Sequence, residues 1–371
     1  MTELLKIEDL TVTFDTDDGV VTAVDHVSLG IERGEVLGLV GESGCGKTVT
    51  AMSVLRLIPS PPGRIRSGRI LFHDRDLLAL APRAMRDIRG RAISMIFQEP
   101  MTALSPLHRV GRQLAETLLL HRSVSRRDAA QAGEEWLLKV GIPDPRQAMQ
   151  SYPFELSGGM RQRVMIAMAL RLDPELIIAD EPTTAVDVTI QAQVFDLMRE
   201  KRKKDTSLLL ITHDMGVIWE MCSRVAVMYA GEIVETGSVH DLFRNPLHPY
   251  TEALLASIPS LAAAQTRLNP IGGQVPSSLN YPAGCRFRDR CRYAFERCAE
   301  HPGLEEVEGR TGRCWLARRR ADRCQVSGVG GQEGSRIPDT GYRMEQSEAK
   351  SASGIRRPVS GISDQAEGSR T

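Results

Sequence analysis

The chain has 371 residues, and its 47 lysines and arginines balance 47 aspartates and glutamates, so the formal net charge is zero. That balance creates no overall field that would attract nucleic acid or an anionic membrane surface. No apolar run approaches the roughly 18–20 residues of a membrane-spanning helix, and the acidic N-terminal stretch is unlike a signal peptide. We therefore expect a cytoplasmic protein whose seven cysteines serve packing, metal binding or catalysis rather than disulfides.

The N-terminal segments predict strands followed by a loop and a helix. Leu5–Phe14 and Val20–Ile31 alternate apolar and polar residues on either side of a turn-forming stretch, as half-buried strands do. Glu35–Val40 is almost wholly apolar, which is typical of a strand at the buried centre of a parallel sheet. A glycine-rich turn comes next, and a helix is predicted from Lys47 to about Leu57.

The middle of the chain alternates helices with short buried strands. Residues 101–165 have mainly helical patterns, whereas Leu176–Ala179 and Leu208–Thr212 are apolar and end in polar residues. Strands that alternate with helices predict an α/β fold built on a parallel sheet. Ligands of such sheets bind beyond the carboxyl ends of the strands, and the polar motifs described next are predicted at such ends.

A glycine-rich motif follows the first buried strand. Residues 41–48 read GESGCGKT and fit the phosphate-loop pattern G-x-x-x-x-G-K-[ST] between a strand and a helix, the context that the pattern requires. The glycines let backbone N–H groups face inward as an anion nest, and the helix adds the positive end of its dipole. Lys47 is expected to reach the β- and γ-phosphates of a nucleotide, and Thr48 to bind Mg²⁺. The expected nucleotide-binding residues of this loop are Gly41, Ser43, Gly44, Cys45, Gly46, Lys47 and Thr48.

Two carboxylates follow the strand at Leu176–Ala179. Asp180 can orient Mg²⁺, and Glu181 can polarise an attacking water as a general base. An isolated Asp-Glu pair at a strand end is commonly no more than a solvated terminus. Combined with the phosphate loop, the pair predicts nucleotide hydrolysis.

A second anion-binding end is predicted at residues 156–160, which read LSGGM. Ser157, Gly158 and Gly159 stand where a helix should begin, and a helix N-terminus favours anions. Because the phosphate loop is already complete, this second end suggests that two subunits pack head to tail. Each subunit would then close the nucleotide site of the other.

These motifs resemble those of the ABC ATPase family, whose signature is LSGGQ; LSGGM is a variant seen in its peptide-transporter branch. The resemblance extends to Gln98 in FQEP, Asp187 in TAVD and His213 in ITHD. One departure is Val186, where the family usually has leucine, and this apolar exchange predicts no loss of function. The resemblance implies a P-loop NTPase (RecA-like) fold with a parallel sheet core, an antiparallel β subdomain, a helical signature subdomain and a small C-terminal extension.

The same resemblance implies a role for each motif. Phe14 would stack on the adenine, although ordinary strand packing also fits an aromatic residue there. Gln98 would contact Mg²⁺ and report the nucleotide state to a membrane subunit, and His213 would hold the γ-phosphate within its own subunit. Ser157 and Gly159 would bind the γ-phosphate held by a partner subunit. The implied catalytic residues are Glu181, His213 and Gln98; the implied Mg²⁺ ligands are Thr48, Gln98 and Asp180; and Gly158 and Asp187 complete the nucleotide-binding set.

Residues 245–251, NPLHPYT, resemble the motif that opens the C-terminal extension of dipeptide and oligopeptide permease ATPases. That branch also contains nickel and glutathione importers, so the cargo stays open. The resemblance implies an ATPase on the cytoplasmic face of the inner membrane, in a heterodimer with a sister ATPase. Two membrane-spanning permease subunits and, indirectly, an extracytoplasmic substrate-binding protein would be its other partners. The alternative from another class is a soluble ABC ATPase acting on nucleic acid or ribosomes, which the balanced charge and the lack of a basic stripe disfavour.

Five segments are expected along the chain. Residues 1–100 form the N-terminal part of the nucleotide-binding domain, residues 101–165 the helical signature subdomain, and residues 166–240 the C-terminal part of the core. Residues 241–324, where proline, arginine and cysteine become frequent, form the C-terminal extension. Residues 325–371 have too few apolar residues to offset the entropy of ordering them, so a disordered tail is predicted.

Four cysteines lie late in the chain at the spacing C-x5-C-x6-C-x15-C, namely Cys285, Cys291, Cys298 and Cys314. Four thiolates can hold zinc or an iron–sulfur cluster, and a segment with so few apolar residues favours such a staple. The C-x2-4-C knuckles usual in zinc sites are absent, and the peptide-permease branch is associated with a [4Fe–4S] cluster. A cluster is therefore expected, with zinc or four free thiols as the alternatives. Cys222 and Cys324 are interpreted as non-ligands.

Cys45 lies within the phosphate loop, two residues before Lys47. Inward-facing N–H groups and a neighbouring ammonium lower the pKa of a thiol. The sequence therefore predicts that Cys45 is a reactive thiolate, which a bound nucleotide would protect.

Overall fold

The computed structural model describes residues 3–183, 188–257 and 271–320. Its strands are β1 (Glu3–Thr16), β2 (Gly19–Glu32), β3 (Val36–Val40), β4 (Gly63–Phe72), β5 (Arg75–Asp76), β6 (Ile93–Ile96), β7 (Leu176–Asp180), β8 (Ser207–Ile211), β9 (Arg224–Tyr229), β10 (Glu232–Ser238), β11 (Glu305–Val307) and β12 (Arg310–Gly312).

The α-helices within the same ranges are α1 (Lys47–Val54), α2 (Pro82–Ile88), α3 (Pro100–Ala103), α4 (Val110–His121), α5 (Arg126–Lys139), α6 (Pro145–Gln150), α7 (Gly158–Leu170), α8 (Val188–Lys201), α9 (Met215–Met221), α10 (Val239–Arg244) and α11 (Pro249–Ala256). Short 3₁₀ turns lie at Pro153–Glu155, Arg288–Arg290 and Glu296–Ala299. Among the described residues, no helix combines the length and the apolar character needed to span a bilayer.

The strands form two sheets. The first sheet is antiparallel and has the order β2-β1-β4-β5, and the second has the order β11-β12-β10-β9-β3-β8-β7-β6. From β9 to β6 the strands of the second sheet are parallel, whereas β10, β12 and β11 run antiparallel to their neighbours. A parallel core sheet with helices and a separate antiparallel sheet confirms the predicted fold class.

The central strands of the core sheet are apolar throughout because both of their faces are covered. In β8, Leu209 and Ile211 pack into the core shared with the antiparallel sheet. Leu208 and Leu210 pack on the other side, into the core shared with α4, α5 and α7. Successive side chains of a strand point to opposite faces, so a strand covered on both faces needs an unbroken apolar run. The three buried strands predicted from the sequence are β3, β7 and β8.

Serine side chains cap the first turns of α5 and α7. Ser125 Oγ accepts a hydrogen bond from Asp128 N–H (3.1 Å), and Ser157 Oγ accepts one from Met160 N–H (3.3 Å). Each bond satisfies a backbone donor that the first turn of a helix leaves without an intrahelical partner. The serine of the LSGGM motif therefore stands at a helix N-terminus, as predicted.

The C-terminal strands extend the core sheet. β12 pairs with β10, with Glu235 opposite Gly312 and Thr236 opposite Thr311, and β11 then pairs with β12. The sequence predicts no strand in this region, because a run of three residues is too short to show alternation. The end of the described chain thus becomes the edge of the sheet that carries the nucleotide-binding motifs.

A buried carboxylate fixes the start of the C-terminal extension to β10. Glu235 has no exposed surface, and its two oxygens accept hydrogen bonds from Leu247 N–H (2.7 Å) and His248 N–H (2.9 Å). Burial raises the pKa of this carboxyl. The two backbone donors belong to the NPLHPYT motif, so this motif begins against the core sheet.

Replacing Glu235 with alanine should destabilise the protein. The N–H groups of Leu247 and His248 would lose their acceptor, at about 1–3 kcal/mol for each buried donor left unpaired. We expect the melting temperature of the full chain to fall by several degrees in a thermal shift assay. Glu235→Gln is the matched control. It should lower the melting temperature less than Glu235→Ala does, because the amide oxygen of glutamine retains one of the two hydrogen bonds. Equal melting temperatures for the wild type and Glu235→Ala would contradict this account.

Candidate nucleotide site

The phosphate loop joins β3 to α1, and its backbone passes very close to two other strands. A Cβ atom on Gly41 would lie 2.1 Å from Met228 O, and one on Gly46 would lie 2.3 Å from Ala23 O. The φ angles of Gly41 and Gly46 are 153° and 106°, values that L side chains rarely adopt. Only glycine fits at either position, so backbone sterics set the course of the loop.

The Lys47 ammonium lies within the curl of this loop. Its Nζ donates hydrogen bonds to Gly41 O (2.8 Å) and Glu42 O (3.0 Å), and the side chain is buried. Lys47 is also the first residue of α1, where the helix dipole is positive. Positive potential is therefore concentrated beyond the end of β3, which favours a phosphate group.

Thr48 links the loop to the end of β7. Its Oγ1 donates a hydrogen bond to Asp180 Oδ1 at 3.1 Å. Burial raises the pKa of the Asp180 carboxyl, and the bond from Thr48 opposes that rise. A cation bound here would offset the cost of burying the carboxylate. A hydroxyl and a carboxylate are the hard oxygen ligands that Mg²⁺ prefers, so the residues fit this ion.

Gln98, Glu181 and His213 meet beyond the carboxyl ends of β6, β7 and β8. Gln98 Nε2 donates a hydrogen bond to Glu181 Oε2 (3.1 Å), and His213 Nδ1 lies 3.7 Å from the same oxygen. The Glu181 side chain is 16% exposed, whereas that of His213 is 71% exposed. The structure therefore groups the three residues predicted as catalytic, with the carboxylate sheltered and the imidazole open to solvent.

The backbone of Glu181 is held in an uncommon conformation. Its φ angle is 43°, a left-handed value that few residues other than glycine adopt. Its N–H donates a hydrogen bond to Ile211 O (2.9 Å), which ties the residue to the neighbouring strand. Strain of this kind persists only where the surroundings impose it, and it is concentrated at functional sites.

The signature motif lies at the open N-terminus of α7. Leu156 is buried, whereas Ser157 and Gly158 are exposed. A Cβ atom on Gly158 would meet no atom within 4 Å, so the described part of the chain leaves this helix end accessible to another molecule. Asp187, the predicted companion of this motif, lies outside the described residues.

Phe14, predicted to stack on adenine, is partly buried in β1. It stands opposite Val21 on β2 and Gly63 on β4, and it packs against the core beneath the antiparallel sheet. A Cβ atom on Gly63 would lie 2.9 Å from its ring. Strand packing therefore accounts for the part of Phe14 that is buried.

The four late cysteines line one narrow cavity together with aromatic side chains. Burial raises the pKa of Cys285 to about 12 and that of Cys314 to about 11, and neighbouring cysteines act in the same direction. All six cysteines in the described ranges are free. Across those ranges, no group of three or more His, Cys, Asp or Glu side chains is placed to hold a metal ion. The thiols thus converge on one cavity without a ready-made ligand geometry.

The prediction that Cys45 is a reactive thiolate is wrong. Its side chain is 1% exposed and belongs to the apolar core beneath the antiparallel sheet. Burial raises the pKa of the thiol, although Lys47, whose Nζ is 3.7 Å from Sγ, opposes the rise. The motif locates the N–H groups around this position, but it does not indicate that the thiol is buried among apolar side chains.

Cys45 should therefore resist alkylation in the folded protein. At pH 7, N-ethylmaleimide should modify it less than about one-tenth as fast as a solvent-exposed thiol, because the thiolate is rare and inaccessible. Peptide mass spectrometry after timed labelling measures the rate. The same protein in guanidinium chloride is the control and should be labelled at the ordinary rate. Rapid native labelling that Mg-ATP suppresses would restore the original prediction.

The contacts of Glu42 were not foreseen from the sequence. Glu42 N–H donates a hydrogen bond to Tyr250 Oη (2.8 Å), and the Arg290 guanidinium donates two to its carboxylate (2.7 and 2.9 Å). The NPLHPYT motif draws attention to Tyr250 but does not indicate that its hydroxyl touches the phosphate loop. Arg290 belongs to no recognised motif.

Comparison with known proteins agrees with this geometry. Residues 24–184 match the ABC transporter family, and residues 234–298 match the oligopeptide/dipeptide transporter C-terminal region. A probable peptide ABC transporter ATP-binding protein of Sinorhizobium fredii is 50% identical over 316 residues, which cover 84% of this chain and 94% of that protein. The dipeptide transport ATP-binding protein DppD of Bacillus subtilis is 47% identical over 331 residues, which cover 88% of this chain and 99% of DppD.

Solved structures support the fold. The ATP-binding cassette MJ0796 bound to ADP and Pi superposes with a TM-score of 0.57 at 24% sequence identity, over 63% of this chain and 98% of that chain. At this identity the likeness concerns the fold alone. Together with the two sequence relatives and both family matches, it leads to one conclusion: the chain is an ATPase that belongs to the ABC transporter ATP-binding family, in the branch carrying the oligopeptide/dipeptide transporter C-terminal region.

Proposed function

We propose that the chain hydrolyses ATP to drive the import of dipeptides or oligopeptides. The relatives described above are named for the transport of peptides and dipeptides, which supports this class of cargo. The observation that carries the catalytic part is the position of the Glu181 carboxylate. It stands at the end of β7, next to the Asp180 that Thr48 contacts and 3.1 Å from Gln98 Nε2.

The phosphate loop and its neighbours would bind the nucleotide. Lys47 and the inward N–H groups of the loop hold the β- and γ-phosphates. Thr48, Asp180 and Gln98 would hold Mg²⁺, and the bound ion would neutralise charge on the phosphate oxygens. The buried carboxyl of Asp180, with its raised pKa, becomes less costly to ionise beside a cation.

Glu181 would act as the general base. Its carboxylate accepts a proton from the attacking water, and the hydrogen bond from Gln98 Nε2 keeps the carboxylate aimed in one direction. His213, exposed and 3.7 Å from the same oxygen, is free to turn toward the γ-phosphate and donate a hydrogen bond to it. We assign both residues to the site of their own subunit.

A second ATPase would complete the site. The exposed N-terminus of α7 offers Ser157 and Gly159 to a nucleotide on another subunit, and Asp187 is assigned to the same interface. We infer a head-to-tail heterodimer with a sister ATPase, at the cytoplasmic face of the membrane. Two membrane-spanning permease subunits and an extracytoplasmic substrate-binding protein would form the rest of the importer. Residues 101–165 are assigned to the signature subdomain, and residues 241–324 to the C-terminal extension.

We also propose that the late cysteines hold a [4Fe–4S] cluster. Four thiols line one cavity, and burial keeps each of Cys285 and Cys314 from ionising alone. A cationic iron centre favours thiolates, and metal binding supplies folding free energy to a segment that lacks a large core of its own. The apolar cluster nearest Cys314 is small, with Leu247, Val307 and Ala317 as its buried members.

Replacing Glu181 with glutamine should stop hydrolysis while ATP binding is retained. Glutamine keeps the shape of the side chain but removes the base, so turnover at this site should fall by about 10²–10⁴-fold. ATPase activity and uptake of a labelled dipeptide are measured in proteoliposomes that contain all subunits, with the sister site disabled separately.

Lys47→Ala is the contrasting variant. It removes a charged contact to the phosphates, so it should weaken ATP binding itself. Unchanged turnover in Glu181→Gln would refute the assignment of the base. Uptake of nickel in place of peptides by the wild-type transporter would refute the proposed cargo.

Protein purified without oxygen should be brown and contain about four irons per chain. Replacing any one of the four cysteines with serine should cause the protein to lose iron, while Mg-ATP binding is largely retained. The four positions are Cys285, Cys291, Cys298 and Cys314. Cys222→Ser is the matched control and should keep its iron. Metal analysis that finds one zinc per chain, or no metal after anaerobic preparation, would overturn the proposal of a cluster.

A further inference from the structure

We propose that Arg290 is a positioning residue for ATP binding: through its ion pair with Glu42, it fixes the start of the phosphate loop and neutralises the carboxylate that the loop carries. This inference rests on the assignment of residues 41–48 as the phosphate-binding loop. It gives the C-terminal extension a direct part in nucleotide binding, in addition to any part it has in holding a metal.

The guanidinium of Arg290 uses all five of its N–H donors. Nη1 donates to Glu42 Oε2 (2.7 Å) and Tyr229 Oη (3.3 Å), and Nη2 donates to Glu42 Oε1 (2.9 Å) and Ile271 O (3.3 Å). Nε donates to Gly272 O (2.9 Å). Two parallel bonds to one carboxylate fix direction as well as distance. Because every donor is engaged, the hydrogen bonds hold the guanidinium in one position. They thereby also fix the position of the Glu42 carboxylate.

The surroundings of this ion pair are rigid. Tyr229, Tyr250 and Phe287 form an aromatic cluster with ring centroids 4.6 to 5.4 Å apart. The Arg290 guanidinium carbon lies 5.7 Å from the Tyr229 ring and 5.9 Å from the Phe287 ring. The three rings come from β9, α11 and the segment between Cys285 and Cys291. The guanidinium therefore packs against an aromatic cluster whose rings come from both the core sheet and the extension.

Every polar group of Glu42 is engaged. The N–H donates to Tyr250 Oη, the carbonyl accepts from Lys47 Nζ, and the carboxylate accepts from Arg290. Residues of the extension thus bind two of these groups, the N–H and the carboxylate. The third group, the carbonyl, accepts a hydrogen bond from Lys47. A displacement of Glu42 would therefore move a hydrogen-bond partner of Lys47, which is how a residue of the extension acts on the nucleotide.

The charges of Glu42 and Arg290 also indicate that this ion pair supports ATP binding. Glu42 places a carboxylate on a loop whose purpose is to bind a polyanion, and an unpaired carboxylate would repel it. The Arg290 side chain is only 4% exposed and that of Glu42 is 28% exposed, so salt and water screen this pair less than a surface pair. Without Arg290, the negative charge of Glu42 would oppose the charge of Lys47.

The experiment measures the affinity of the full chain for Mg-ATP carrying a fluorescent ribose label. Arg290→Met retains an unbranched stem against the rings and removes the charge, and we expect affinity to fall roughly tenfold. Glu42→Gln combined with Arg290→Met removes the unpaired carboxylate as well, and should restore affinity to within about threefold of the wild type. Arg288→Met is the matched control, because Arg288 is an exposed arginine of the same segment, and it should bind normally.

The outcomes separate this proposal from the proposed function. A lower melting temperature of Arg290→Met with unchanged affinity would make Arg290 merely structural and overturn the inference. An equal loss of affinity in the single and double variants would show that Arg290 does not act through Glu42, and would also overturn it. If Arg290→Met does not fold, Arg290→Lys and Arg290→Gln provide the same test: the lysine keeps the charge but not the paired bonds, so it should bind more tightly than the glutamine and less tightly than the wild type. A wild-type chain that failed to bind Mg-ATP would instead refute the assignment of the loop.

Discussion

The nucleotide site depends on the close approach of one loop backbone to two strands that belong to different sheets. Gly41 passes Met228 on β9 of the core sheet, and Gly46 passes Ala23 on β2 of the antiparallel sheet, both at distances that exclude a side chain. Backbone hydrogen bonds continue the link, from Gly231 N–H to Cys45 O (3.0 Å) and from Asp25 N–H to Gly231 O (2.8 Å). The loop has its binding shape only when both sheets are in place. The antiparallel sheet is therefore part of the site, although the predicted catalytic residues all follow strands of the other sheet.

The topology of the core sheet explains why so much of the site could be predicted from the sequence. Gln98, Glu181 and His213 each follow a buried strand, and parallel neighbouring strands present their carboxyl ends at one edge. Each motif is continuous in the chain, so its residue types and its place at a strand end are both visible. β4 was not foreseen, since Gly63–Phe72 shows no clear alternation of apolar and polar residues.

The sequence does not predict contacts between segments that are far apart in the chain. The hydrogen bonds between Arg290 and Glu42 join residues 248 positions apart, and neither residue type signals a partner at that distance. The burial of the Cys45 thiol cannot be predicted for a related reason: a motif describes the backbone, whereas the pKa of a thiol depends on what packs around it. Sequence patterns thus report local geometry well and three-dimensional packing poorly.

The composition of the C-terminal extension has a physical explanation in its buried ion pairs. Arg286 pairs with Asp25 and lies 3.6 Å from Glu232, and its guanidinium carbon is 3.9 Å from the Tyr281 ring centre. Its side chain is only 9% exposed, and a charge buried to that extent needs partners of this kind. Arg286 and Arg290 therefore fasten the same short segment to the antiparallel sheet and to the phosphate loop respectively. In this segment, ion pairs provide the attachment to the rest of the protein that apolar packing provides elsewhere.

The pairing of β10 with β12 has a consequence for the order in which the chain is made. A ribosome releases β10 well before residues 310–312, so for that interval the edge of β10 that β12 later covers has backbone donors and acceptors without a neighbouring strand. Open strand edges of this kind can pair with other chains, and nascent multi-segment proteins are exposed to such association. Translation that stalls or stops before β12 emerges would leave an aggregation-prone product, even though every nucleotide-binding motif had already been synthesised.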